Sequence, residues 1–155
     1  MTISLDALVE LNRLNMSLII EAAGGTFDPA FRRTRLVSEV EAGSEIITVC
    51  QKNRLAAYLE FHITGNNCNV QSLQIHPDYQ GSTILARLLS KVCQRLRNAP
   101  TLIINSCAHE GNTKSLSLHQ KLGFYEVKTE GNRVFFEISG QNLIARLNRF
   151  EQKSA

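Results

Sequence analysis

The segment Leu73–Leu89, LQIHPDYQGSTILARLL, constrains the fold more than any other stretch of this chain. It opens as an apolar run suited to a sheet, and Pro77 ends that run because it brings no N–H to a ladder. A polar turn containing Gly81 follows. From Ser82 to Asn98, Ile84, Leu85, Leu88, Leu89, Val92 and Leu96 fall on one helical stripe. A strand feeding a long helix through so short a turn calls for helices packed on a sheet. It also leaves the unpaired N–H groups and positive dipole end of the first helical turn beside the strand end. Such a place favours an anion, most often a phosphate. Any strand–turn–helix offers these ends, so the junction alone is a weak sign of a ligand.

The periodicity on either side fills in the order of elements. Residues 4–21 read as a helix with Ser4 as cap and Ala7, Leu11, Leu14 and Leu18 on its apolar stripe, stopped by Gly24-Gly25. Asp28 and Pro29 open a second helix that ends before Gly43; its core face is expected at Phe31, Val37 and Val40, with Arg35 and Glu39 paired outside. Glu45–Gln51 and Leu55–Thr64 read as a hairpin around Lys52-Asn53-Arg54, and Asn69–His76 as a third strand. Thr101–Ser106 is a nearly continuous apolar run, expected to be a strand buried on both faces. A helix over Asn112–Leu122, strands at Phe124–Thr129 and Arg133–Ile138, and a last helix bearing Leu143, Ile144, Leu147 and Phe150 complete the order α-α-β-β-β-α-β-α-β-β-α.

Composition narrows the partners. The 155 residues carry 17 basic and 14 acidic side chains for a net charge of +3, too little to make phosphate-backbone binding the default, and no nucleic-acid partner is expected. Cys50, Cys68, Cys93 and Cys107 form no CxxC or Cys/His cluster, so no metal is expected. With no basic and apolar leader at Met1, the reading is one soluble, cytoplasmic domain over 1–155 with reduced cysteines. No apolar run approaches the ~20 residues that span a bilayer, so no membrane partner is expected.

The junction at LQIHPDYQG and the downstream stretch N…SLHQKLGF (Asn112–Phe124) together resemble the GNAT N-acetyltransferase superfamily, most strongly over residues 28–138. The resemblance implies an α+β fold, a central mixed and mostly antiparallel sheet flanked by helices. It implies an acetyltransferase that moves an acetyl group from acetyl-CoA to an amine of a small molecule or protein by direct transfer. Gln80 matches the first position of the family's Q/R-x-x-G-x-G/A pattern, while Thr83 and Leu85 stand where that pattern has glycine or alanine. By the resemblance, the backbone of Gln74, Ile75 and His76 would pair with the pantetheine arm. Gln80, Gly81, Ser82, Thr83, Ile84 and Leu85 would cradle the pyrophosphate, and Asn112 would sit beside the pantetheine.

The same resemblance places His119 where the family often has a tyrosine that protonates the departing thiolate. A histidine can serve there, since its unperturbed pKa of ~6.5 suits proton donation near neutrality. The N–H of Ile75 would stabilise the oxyanion. A base for the incoming ammonium is sought at Glu60 or His62, which alternate along one strand face. Cys107 suggests a covalent route only faintly. His109 and Glu110 are expected in a loop where a substrate could pass, and Arg32, Arg33 and Arg35 could draw an anionic acceptor or form a solvated face. Two other functions stay open: a weak or inactive GNAT-fold protein acting as an acyl-CoA-binding regulator or partner-binding module, and transfer of a longer acyl group. A homodimer is one assembly open to the chain.

Overall fold

In a computed structural model, residues 3–81 and 83–154 are described, with side chains through Arg149; Ser82 and the Phe150 side chain lie outside them. The elements follow the expected order: α1 (Leu5–Ala22), α2 (Pro29–Glu41), β1 (Glu45–Gln51), β2 (Arg54–Thr64), β3 (Asn67–Ile75), α3 (Thr83–Arg97), β4 (Ile103–His109), α4 (Thr113–Lys121), β5 (Tyr125–Glu130), β6 (Arg133–Ser139) and α5 (Gly140–Ser154). A short 3-10 turn at Pro77–Tyr79 joins β3 to α3. The strands form one sheet in the order β1-β2-β3-β4-β6-β5. Pairing is antiparallel for β1–β2, β4–β6 and β5–β6, and parallel for β3–β4. This is the mixed, mostly antiparallel α+β sheet expected. The chain forms two compact units, Met1–Phe61 with Ser72–Leu88, and His62–Gln71 with Leu89–Ala155.

In the first unit, the caps act as read from the sequence: Ser4 Oγ accepts from the Ala7 N–H at 3.1 Å and Asp28 Oδ1 from the Phe31 N–H at 3.2 Å. The helix faces differ from expectation. On α1, Leu8, Leu11 and Asn12 turn inward, whereas Leu14 and Leu18 are exposed, Leu18 to 77%. On α2, Leu36 is fully buried while Phe31 and Val40 are exposed. The inward stripe of α2 is Arg32–Leu36–Glu39, and that of α1 continues from Leu8 through Asn12 to the half-buried Asn15. Both inward faces are partly polar, so a search for apolar stripes settles on the wrong side. Leu8, Val9, Leu11, Leu36, Leu55 and Tyr58 make the core cluster here. The β1–β2 turn is two residues, Lys52 and Asn53, both with positive φ (51° and 61°), and Arg54 already belongs to β2.

In the second unit, β3 meets β4 only over Asn67–Asn69 and Ile103–Asn105. The strand β4 begins two residues later than expected and runs to His109. Burial alternates along it, with Ile104, Ser106 and Ala108 inside, rather than covering both faces. Ala108, Val134 and Phe136 form a core cluster with Leu116 and Phe124 against them. Asn112 caps α4, its Oδ1 accepting from Ser115 N–H at 3.2 Å, and Gly123 (φ +88°) follows the helix end. Leu143 and Leu147 bury the inner face of α5. Among the described residues, no helix is long and apolar enough to cross a membrane.

Candidate active site

The end of β3 is held by side chains. The Ile75 carbonyl accepts from Asn15 Nδ2 at 2.9 Å and from Gln80 Nε2 at 3.5 Å, while the N–H of His76 donates to Ala56 O at 2.8 Å. The peptide joining Ile75 and His76 is thus gripped at both its polar ends. The turn is clamped as well: His76 Nδ1 accepts from the Asp78 N–H at 3.1 Å, and Arg54 pairs with Asp78 at 2.9 Å and lies over the Tyr79 ring. Gly81 has φ +78°, a conformation that costs a residue with a Cβ, although a Cβ there would meet nothing within 4 Å. The demand at Gly81 is on the backbone, and the space over it is open. Thr83 is exposed in the first turn of α3, Ile84 is buried and Leu85 half-buried, so both apolar residues turn toward protein. Their N–H groups lie in the first turn of α3, at the positive end of its dipole.

Behind the strand lies a polar network that the sequence did not suggest. Gln74 Nε2 donates to Ser72 Oγ at 3.0 Å, Asn15 Nδ2 donates to Gln74 Oε1 at 3.0 Å, and Asn12 Nδ2 reaches both Tyr58 Oη and Ser72 Oγ at 3.4 Å. Asn12, Ser72 and Gln74 are buried, so these bonds satisfy groups that would otherwise be costly inside. Asn12 and Asn15, three apart on α1, therefore tie that helix to the last residues of β3.

Glu60 is fully buried, with Oε1 on Arg32 Nη2 at 3.0 Å. Burial, then the hydrogen bond to Glu39, push its carboxyl up to about 7 despite Arg32. Burial also works to raise Glu39, but its bonds to Glu60 and Arg35 and the field of Arg32 hold it below its usual value. The unpartnered oxygens, Glu39 Oε2 and Glu60 Oε2, are both buried, and one proton shared between the two carboxyls accounts for both. The three arginines are engaged internally: Arg32 with Glu60 and Glu39, Arg33 with Asp6 at 2.9 Å, Arg35 with Glu39 at 2.7 Å.

In the second unit, Asn112 and His119 mark the two ends of α4. His119 is buried, stacked on Phe136 at 4.4 Å and edge-on to Phe124 at 5.1 Å. Its Nδ1 lies 2.7 Å from the Ser115 carbonyl and its Nε2 2.7 Å from Ser106 Oγ. A carbonyl only accepts, so Nδ1 carries the proton and Nε2 accepts from the serine hydroxyl. Burial pushes the imidazole pKa down, opposed by the Ser115 carbonyl. Ser106 was not singled out in the sequence; only its inward place in the alternation of β4 could have flagged it. His62 is half-buried. His109 closes β4 opposite Arg133 rather than lying in a loop, and Glu110 follows it in the turn. Cys107 Sγ accepts a long contact from Arg133 at 3.8 Å, and all four cysteines are free thiols.

A sequence model of the acetyltransferase (GNAT) family matches residues 12–124. The chain belongs to the GNAT family. Solved structures share the fold at low identity. The PaiA N-acetyltransferase of Thermoplasma acidophilum, in complex with coenzyme A, superposes with a TM-score of 0.69 at 18% identity, covering 90% of this chain and 96% of that one. The ribosomal-protein-S18-alanine N-acetyltransferase of Escherichia coli gives 0.68 at 14%, covering 87% and 86%. The protein yncA of Salmonella typhimurium, with its cofactor acetyl-CoA, gives 0.60 at 19%, covering 87% of each chain. No curated protein matches the sequence significantly. As a GNAT acetyltransferase, the chain carries Gln74, Ile75, His76, Gln80, Gly81, Thr83, Ile84 and Leu85 on one strand–turn–helix of the first unit, and Asn112 and His119 on one helix of the second.

Proposed function

We propose that this GNAT protein transfers the acetyl group of acetyl-CoA directly to an amine of a small molecule or protein, in the cytoplasm. The observation that carries the reading is the β3–turn–α3 junction: an open glycine at positive φ leads directly into the N-terminal turn of α3, the positive end of its dipole. That end suits a pyrophosphate, and coenzyme A in the PaiA structure and acetyl-CoA in the yncA structure give the ligand class. Acetyl-CoA brings the acyl group already activated as a thioester.

Gly81 through Leu85, with Gln80, hold the pyrophosphate by backbone N–H groups. Gln74, Ile75 and His76 offer main-chain hydrogen bonds to the pantetheine arm, and Asn112 adds a side-chain contact. The Ile75 N–H donates to the acetyl carbonyl oxygen as negative charge develops there, and the grip on the neighbouring peptide keeps that donor from turning. Glu60, with its carboxyl near neutrality, takes the proton that an ammonium must lose before it can attack. His119 returns a proton to the departing sulfur.

Thermal unfolding with acetyl-CoA, with CoA and ATP as controls, tests the binding half. Ligand at 100 times its Kd stabilises by about 2.7 kcal/mol, which moves the midpoint by roughly 5–10 °C for a chain of this size. No shift at millimolar acetyl-CoA overturns the reading. A positive shift is followed by thiol release with an amine panel of alanine-initiated peptides, spermidine and aromatic amines.

A further inference from the structure

The helix α2 has little apolar hold on the rest of its unit. Leu36 is its one buried side chain, while Phe31 and Val40 face solvent. Polar groups do much of the fastening. Arg32 and Glu39 turn inward from α2 and meet Glu60, which projects from β2 with no exposure at all. Glu60 Oε1 accepts from Arg32 Nη2 at 3.0 Å; Glu39 Oε1 accepts from Arg35 Nε at 2.7 Å and lies 3.7 Å from Arg32 Nη1. That leaves Glu39 Oε2 and Glu60 Oε2, one from each element, both sealed from solvent.

Charge fixes what joins them. Two carboxylates against the single inward guanidinium of Arg32 leave one negative charge in excess out of water, since Arg35 is 61% exposed and screened. One proton between the two orphan oxygens neutralises the patch and gives each a partner. The surrounding elements supply no substitute. On β1, Ile46 stands opposite Glu60. On β2, the Tyr58 hydroxyl lies beside Arg32, and the half-buried His62, two residues past Glu60, forms no ion pair with a described residue. No Asp, Glu, Lys, Arg or His occurs in β3, and α1 meets α2 through the exposed Asp6–Arg33 pair.

We propose that the Glu39–Glu60 carboxyl pair is a proton latch: protonated, it holds α2 on β2, and once the proton leaves, that helix opens by itself. The latch involves α2 and β2 alone and does not depend on the acetyltransferase reading. Burial, then Glu39, raise the closed Glu60 carboxyl to about 7; opened to water, it returns to its ordinary 4.5. The closed state binds the proton more tightly, so the hold is complete below about 4.5, weakens as pH rises and levels off above about 7. Glu39, shifted downward, works in the opposite sense at the acid end of that window.

Hydrogen exchange on the whole chain without ligand tests the latch. In wild type, the protection of residues 29–41, corrected for the intrinsic pH dependence of exchange, is expected to fall about tenfold or more from pH 5 to pH 7 and to change little from pH 7 to pH 8. Residues 5–22 of α1 should stay the better protected throughout, which marks the opening as that of α2 alone. In Glu39→Gln an amide N–H replaces the shared proton, so the fall should disappear. A second measurement needs no variant: 13C spectra of the glutamate carboxyls in wild type should show one still largely protonated at about pH 6, where an ordinary glutamate is ionised. Constant α2 protection from pH 5 to pH 7, equal protection of α1 and α2, an undiminished fall in Glu39→Gln, or no glutamate protonated at about pH 6 would each overturn the latch.

Discussion

The substitution Glu60→Gln separates a buried ionisation from the packing around it. The amide keeps an oxygen for Arg32 and gains an N–H for Glu39, so the shape and the contacts at Oε1 survive. What disappears is the titration, which runs from an ordinary value of 4.5 to about 7 in the folded chain. Between those values the native state holds the Glu60 proton while the unfolded chain has released it. The native state then binds more protons, so this group's contribution to wild-type stability falls as pH rises from about 4.5 to about 7 and stays flat above. At 1.36 kcal/mol per pKa unit, the rise from 4.5 to about 7 puts a ceiling of about 3.4 kcal/mol on the stability at stake, reduced by the opposite shift of Glu39. For a chain of this size that is several degrees of Tm. Differential scanning calorimetry at pH 5, 6, 7 and 8 should show the variant gaining on wild type with each step to pH 7 and then running parallel. Curves parallel across the whole range would refute the assignment of a shared proton to Glu39 and Glu60.

Three further outcomes follow from the same contacts. Leu36→Ala should cost about 2–5 kcal/mol in urea unfolding, whereas Phe31→Ala on the same helix should stay within about 0.5 kcal/mol, because Leu36 is fully buried and Phe31 is 66% exposed. Asp28→Ala removes the α2 cap and should cost about 1 kcal/mol, read by the same unfolding curves. Gly81→Ala forces a Cβ into φ +78°; it should destabilise by about 1 kcal/mol and weaken acetyl-CoA binding in calorimetry.

Caps, turns and element order were written in local residues and could be read locally. Ser4, Asp28-Pro29, Asn112 and Gly123 act through neighbours three or four positions away, and the strand–turn–helix at Leu73–Leu89 is likewise one continuous stretch. Family membership follows from that same stretch and from SLHQKLGF. The inward faces of α1 and α2 were misjudged because Asn12, Asn15, Arg32 and Glu39 turn inward to partners on β2 and β3, which an apolar stripe cannot anticipate. Ser106 was invisible for a similar reason: a serine in a strand reveals nothing until the histidine thirteen residues on is folded onto it.

By itself, then, the sequence determined the order of elements, their starts and stops, and the strand–turn–helix suited to a pyrophosphate, because these depend on backbone chemistry over a few residues. Only the tertiary structure decided which polar groups are buried and with whom. Desolvation and hydrogen bonding between distant residues set the Glu60 carboxyl near neutrality, fixed the His119 tautomer and put a serine hydroxyl on its remaining nitrogen.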